Sequence, residues 1–248
     1  MKQSKIYIGT SGWNYDDWKG AFYPERMGRA KWLAYYAEHF NTVEVNATFY
    51  RSFQDSVFKR WADQVPEDFR FVLKAPRLIT HRKYLSGADN EIADFCRKAK
   101  LIRDRFGIVL LQLAPNTPIE TGRLDSALAA FGDTRVAVEF RDDRWMTVEV
   151  KTILEKRSVA FCAADSPKTH IMEWVTADTG YIRLHGRKAW YSHRYTDSEL
   201  NDIAGHARSM MSAGAHTMYI FFNNDYRGYA IENALALNKI LVFGTPSY

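Results

Sequence analysis

Ionisable residues recur at the ends of short β-forming stretches, with cations and carboxylates in balance. Glu44 lies in "TVEVN", Lys74 closes "FRFVLK", Glu139 lies in "RVAVEF" with Arg141 just beyond, and Asp165 follows "SVAFCAA". Arg183 and His185 lie in "GYIRLH", and amides accompany the charges at Asn46, Gln112, Asn223 and Asn224. Two carboxylates in unlike environments can divide into a general acid and a general base. Glu139 reads as the base, with Glu44 or Asp165 as the acid, and neutralising Glu139 is expected to leave stability intact while ligand binding is lost. Lys74 reads as an electrostatic clamp beside Arg141 and Arg183, although a desolvated lysine can also be a Schiff-base nucleophile. His185 can carry a proton either way, and Asn46, Gln112 and Asn223 read as ligand-orienting groups.

The segment "HGRKAWYSHRY" adds Arg187, Trp190 and Tyr191, a mixture of basic and aromatic groups suited to phosphates, sugars or bases. "NNDYRGYAIENA" places Asn224 and Gly228 before a helical stretch, where backbone amides can grip an anion. "TSGW" could present Thr10 and Ser11 to the same space. The seven histidines show no ligand-like spacing, so no zinc site is expected. A single Mg or Mn ion held by Glu44, Glu139 and Asp165 is the minority reading, opposed by the neighbouring cations. With no glycine-rich dinucleotide fingerprint after a strand, no redox cofactor is expected.

Parity explains how such groups could share one space. Counting alternate residues, Val43/Val45, Phe71/Leu73, Leu111/Leu113, Val138/Phe140 and Ile182/Leu184 form one apolar face. The opposite face carries Glu44, Lys74, Gln112, Glu139, Arg183 and His185. A barrel has a use for both faces, one against helices and one toward its axis. Eight candidate strands are spaced along the chain at 5–10, 42–46, 69–74, 107–113, 135–140, 158–164, 180–185 and 217–223. Amphipathic stretches separate most of them; "NEIADFCRKAKLIRDRF" puts Ile92, Phe95, Ala99 and Ile102 on one side. Gly107 and Gly214 fall where helices would end. The sixth crossover, "DSPKTHIMEWVTADTG", is too short and polar for a helix. The pattern predicts a single (β/α)8 TIM barrel over residues 1–248, with a doubly wound open sheet as the alternative. Barrel enzymes place their chemistry at the C-terminal ends of the strands, where these polar residues cluster.

The charge balance is mild at +5, which permits an anionic ligand without indicating nucleic acid. No apolar run approaches the roughly 18–20 residues of a membrane span. The start "MKQSKIYIGT" lacks a leader pattern, and two unpatterned cysteines fit a reducing compartment, so a cytoplasmic location is expected.

The stretches "IGTSGWNYDDWKGAFYP", "NTVEVNATFYR", "FVLKAPRLITHRKYL", "VLLQLAP", "AVEFR", "YIRLHGRKAWY" and "YIFFNND" resemble the domain of unknown function 72 (YecE-like) family. The resemblance covers almost the whole chain. It implies a (β/α)8 barrel in a cytosolic bacterial or archaeal protein, and it points to the same polar positions. Fold-level likeness of that family's barrel to endonuclease IV and sugar-isomerase barrels suggests nucleic-acid or carbohydrate chemistry. The expectation is an acid/base hydrolase or isomerase-type enzyme acting on a small anionic, phosphate-bearing or sugar-like molecule. A nucleic-acid-binding protein or endonuclease IV-like nuclease, and a ligand-binding barrel without turnover, are the alternatives.

Overall fold

A computed structural model describes residues 4–243. The first three residues of the expected domain, with the start of the segment read for a leader, and residues 244–248 lie outside the described residues. Eight parallel strands form one sheet in the order β1-β8-β7-β6-β5-β4-β3-β2, so its two ends, β1 and β2, come together as neighbours in a nearly closed barrel. The strands are β1 (Lys5–Thr10), β2 (Thr42–Val45), β3 (Arg70–Lys74) and β4 (Phe106–Gln112). They continue with β5 (Val136–Glu139), β6 (Ala160–Asp165), β7 (Thr179–Leu184) and β8 (Thr217–Phe222). Around them lie α1 (Trp32–Ala37), α2 (Ala47–Tyr50), α3 (Asp55–Asp63), α4 (Asp89–Ala99), α5 (Thr121–Ala130), α6 (Val148–Lys156), α7 (Asp197–Ser212) and α8 (Tyr229–Asn238). No helix among the described residues is long and apolar enough to cross a membrane.

Parity divides the apolar residues into two cores. Val43, Val45, Phe71, Leu73, Leu111, Val138, Ile182 and Leu184 pack outward against the helices. Within the barrel, Tyr7, Tyr181, Tyr219 and Phe221 on β1, β7 and β8 face the small Ala137, Ala160 and Cys162 on β5 and β6. Large rings against small side chains fill the barrel floor, and the polar cluster sits above that dry layer. Gly107 belongs to this floor and does not end a helix. It lies inside β4, where a Cβ would come within 2.7 Å of the Tyr219 hydroxyl. Gly214 does follow α7, at φ +114.

The seam between β1 and β2 is closed by side chains in place of a strand ladder. Thr10 N–H donates to the Tyr36 hydroxyl at 2.9 Å, and that hydroxyl donates to the Thr42 carbonyl at 3.1 Å. Asn41 continues the stitch, its amide donating to Ile6 O at 3.0 Å and accepting from Ile8 N–H at 3.3 Å. The phenol fits because residue 9 is glycine: a Cβ there would lie 2.2 Å from Thr42 O and 2.9 Å from the Tyr36 hydroxyl. Tyr36→Phe is therefore expected to destabilise the barrel by about 1–3 kcal/mol for each buried backbone group left unpaired. Chemical denaturation tests this, and an unchanged midpoint would mean that the seam does not depend on the phenol.

The sixth crossover, residues 166–178, contains no helix, as its composition predicts. β5 and β6 pair only through Ala137–Ala160 and Val138–Phe161, so they part toward their C-terminal ends. A cavity of about 440 Å³ opens there, with Phe140, Met146, Phe161, Cys162 and Met172 in its walls. It reaches both faces of β6, because Phe161 belongs to the outer core and Cys162 to the inner one.

Candidate functional site

Arg183 organises the barrel mouth. Its position on β7, one alternation above Tyr181, aims it inward, and it is almost fully buried at 1% exposure. Its Nε and Nη2 donate to Glu44 at 2.9 and 2.6 Å, and its Nη1 donates to Glu139 at 2.6 Å. One guanidinium thus bridges carboxylates from β2 and β5, a use for which the planar fork of arginine is suited. Glu44 also accepts from the Ser11 hydroxyl at 2.8 Å and the Tyr181 hydroxyl at 2.7 Å. Burial alone would raise the Glu44 carboxyl, but Arg183 and then Tyr181 outweigh it and hold the pKa below the ordinary value. Four donor contacts leave this carboxylate little capacity to take or give a proton.

Glu139 is held in the same way. Burial would raise it, but the charges of Arg141 and Arg183 keep it well below the usual carboxylate range. Arg141 Nε lies 2.7 Å from Glu139 Oε1, and His185 Nε2 lies 3.2 Å from the same oxygen. Asn223 Nδ2 approaches His185 Nδ1 at 3.0 Å, and Arg141 Nη2 lies 3.1 Å from His185 Nε2, so the imidazole is held between Asn223 on one side and the Arg141–Glu139 pair on the other. Burial, then the charge of Arg183, push the His185 pKa down to about 4. Trp190 covers this side of the mouth, with its ring centre 5.7 Å from that of the imidazole and 5.6 Å from the Arg141 guanidinium carbon.

Lys74, at the end of β3, has a different environment. It is 8% exposed and its ammonium lies 4.3 Å from the centre of the Phe49 ring. Among the described residues it makes no ion pair and no side-chain hydrogen bond. Burial, reinforced by Arg183, lowers its pKa to about 8 against the weaker pull of Glu139 and Glu44. Near it, His81 meets Phe49 edge-on at 4.9 Å and touches Thr80 Oγ1 through Nδ1 at 2.8 Å. Burial and the Lys74 charge lower the His81 pKa as well.

The other sequence candidates divide. Gln112 stands beside Glu139 in the β4–β5 ladder, half-buried. Asn46 follows β2 with its Nδ2 3.5 Å from Ser11 O, and its buried Oδ1 has no partner. Asp165 does not join Glu44 and Glu139. With Cys162 in the inner core, parity turns Asp165 to the outer face of β6, where Arg187 donates to its Oδ2 at 3.0 and 2.8 Å. The same guanidinium reaches Asp202 on α7 at 3.0 Å, so Arg187 is also withdrawn from the mouth. Burial leaves the Asp165 pKa raised despite Arg187.

Asn224 likewise turns away, donating to His193 O and Asn233 Oδ1 to hold the loop after β7 against α8. Tyr191 is 46% exposed on the rim. Three carboxylates therefore do not converge on a common point, as the minority Mg or Mn reading requires. Among the described residues no group of three or more His, Cys, Asp or Glu side chains is placed to hold a metal ion. Sequence reasoning passed over Tyr181 and Phe49. The first was readable as the inward residue two before Arg183; the second, on the one-turn α2, carried no periodic signal.

A family model described as "Protein of unknown function DUF72" matches residues 7–246. The chain belongs to the DUF72 family. A DUF72 family protein from Thermotoga maritima MSB8, solved by crystallography, is similar in fold with a TM-score of 0.86 and 30% identity, covering 96% of this chain and 99% of that one. UPF0759 protein YunF of Bacillus subtilis (strain 168) is 24% identical over 95% of this chain and 94% of its own length. UPF0759 protein YecE of Escherichia coli (strain K12) is 36% identical across 44% of this chain and 37% of its own. The DUF72 membership and the barrel agree with the resemblance carried by the sequence motifs.

Proposed function

We propose that this DUF72 barrel is an enzyme whose mouth takes a small molecule bearing a carboxylate or phosphate, with Lys74 rather than the carboxylates as its reactive group. The observation that carries this reading is the contrast within the cluster. Glu44 and Glu139 are saturated by donors and held ionised, which makes them weak bases and unavailable as acids, whereas buried Lys74 is unpaired and titrates near 8. Glu139 and Glu44 then serve to place Arg183 and to tune the neighbouring groups. Arg141, with its side chain 16% exposed and stacked on Trp190, is the cation best placed to meet a ligand anion. Asn46, with its unpartnered oxygen, supplies a complementary acceptor for a hydroxyl.

A nuclease reading is less well supported, since Arg187 is committed to Asp165 and Asp202 and cannot serve the basic-aromatic loop. Calorimetry with a panel of phosphorylated, carboxylated and uncharged polyhydroxyl molecules tests the proposal. Saturable binding of the anionic members, weakened tenfold or more by Arg141→Ala, is expected. Equal binding of uncharged sugars, or indifference to Arg141→Ala, would refute it, and steep salt dependence with DNA or RNA would restore the nuclease.

A further inference from the structure

We propose that Lys74 forms an imine with a carbonyl compound, so that the substrate is an aldehyde or ketone carrying a carboxylate or phosphate. The inference rests on the anion-binding reading above and names the reactive group of that ligand. Its first support is that Lys74 is a surplus cation. A buried lysine kept for structure would be expected to neutralise a carboxylate, since an unpaired buried charge is costly. Both inner carboxylates are instead bonded by Arg183, so Lys74 is in contact with neither and feels them only at a distance.

Its second support is placement. The Lys74 backbone is fixed by the Thr48 hydroxyl, which donates to its carbonyl at 2.7 Å, and by its parallel pairing with Leu110. The amine is therefore carried on a rigid strand end at the mouth, against the apolar face of Phe49. Third, the half-buried His81 packs on the same ring, and burial with the Lys74 charge lowers its pKa, which favours the form able to accept a proton.

The chemistry needs no redox partner. The neutral Nζ lone pair attacks the carbonyl carbon, and the π pair moves to oxygen, which takes a proton to give a carbinolamine. Nitrogen then loses a proton, the hydroxyl leaves as water after gaining one, a carbon–nitrogen double bond forms, and nitrogen gives up its second proton. The balance is amine plus carbonyl to imine plus one water. Arg141 would face the substrate anion and His81 would carry the protons. A depressed pKa supports the first step, because about a tenth of Lys74 is neutral at pH 7 and about half at pH 8.

Trapping tests this directly. The protein is incubated with pyruvate, or with glyceraldehyde 3-phosphate, and sodium cyanoborohydride, and the intact mass and peptide map are read. One adduct per chain on Lys74 is expected, forming about tenfold more slowly for each pH unit below pH 8. Lys74→Met should remove it, and Lys74→Arg should remove it while anion binding by calorimetry persists. Adducts spread over exposed lysines with Lys74 unmodified would overturn the imine. Binding of either probe without trapping would overturn the imine and leave the anion site standing. Absence of both binding and trapping, for both probes, would overturn the two readings together.

Discussion

Arg183→Met is expected to leave the protein unfolded, or nearly so, at neutral pH. Arg183 is the shared partner of Glu44 and Glu139, both fully buried. Removing one partner of a buried pair typically costs about 3–5 kcal/mol, and here Glu44 loses its contacting cation while Glu139 loses one of two. A domain has about 5–15 kcal/mol in total, so the loss approaches the whole. The pH dependence provides a second reading. In the parent both carboxyls are depressed by their partners. Their contribution is present above the unfolded carboxyl pKa, near 4.5, and is lost as pH falls through the folded values. In Arg183→Met, Glu44 is left with no cation in contact and burial would raise its carboxyl, while Glu139 keeps Arg141, so acidification should favour the fold through Glu44. Urea denaturation at pH 7 and pH 4 measures this. Adding Glu44→Gln to the same chain should restore much of the stability, since Glu139 still faces Arg141 and no buried carboxylate is then left without a cation. A parent-like midpoint for Arg183→Met at both pH values would show that the bridge contributes nothing.

The same geometry reverses one expectation from sequence. Glu139→Gln was expected to leave stability intact, as a strained catalytic base would. Glu139 instead relieves Arg141 and Arg183, so its neutral replacement should lower the melting temperature.

Lys74→Met should have the opposite effect on stability, raising the melting temperature while ligand binding is lost. The folded protein holds the Lys74 pKa at about 8 against an ordinary 10.5. Below pH 8 the group is protonated in both folded and unfolded chains, and the penalty for burying its charge is fully present. Between pH 8 and 10.5 the unfolded chain binds more proton, so stability rises with pH; above that range the penalty is gone. The difference corresponds to about 3 kcal/mol at pH 7, or several degrees in a domain of this size. The advantage of Lys74→Met over the parent should therefore shrink as pH rises from 8 toward 10.5. Thermal scans at pH 7 and pH 10 compare the two chains. A destabilised variant at pH 7 would identify Lys74 as a structural clamp and remove the basis for its chemistry.

The amino-acid sequence by itself determined the barrel and the inward faces, because strand parity is local and each β-stretch shows its own alternation. Glu44, Glu139, Arg183 and His185 were legible as neighbours for that reason. Strict parity would also have turned Asp165 and Asn224 outward, since each lies one residue out of step with the inward positions Cys162 and Asn223. The closure of the seam was not legible, because Tyr36 and Asn41 act on strands they do not belong to, through contacts set by how α1 packs.

Only the tertiary structure decided which cation meets which carboxylate. Sequence supplied Lys74, Arg141 and Arg183 as equivalent clamps for Glu44 and Glu139, with Asp165 as a third carboxylate. In the folded barrel the fork of Arg183 reaches both glutamates across the axis, and Arg187 takes Asp165 on the far side of β6. Pairing depends on reach and direction in space, which no spacing along the chain encodes, and it is that pairing which leaves Lys74 buried, unpaired and with its pKa lowered to about 8.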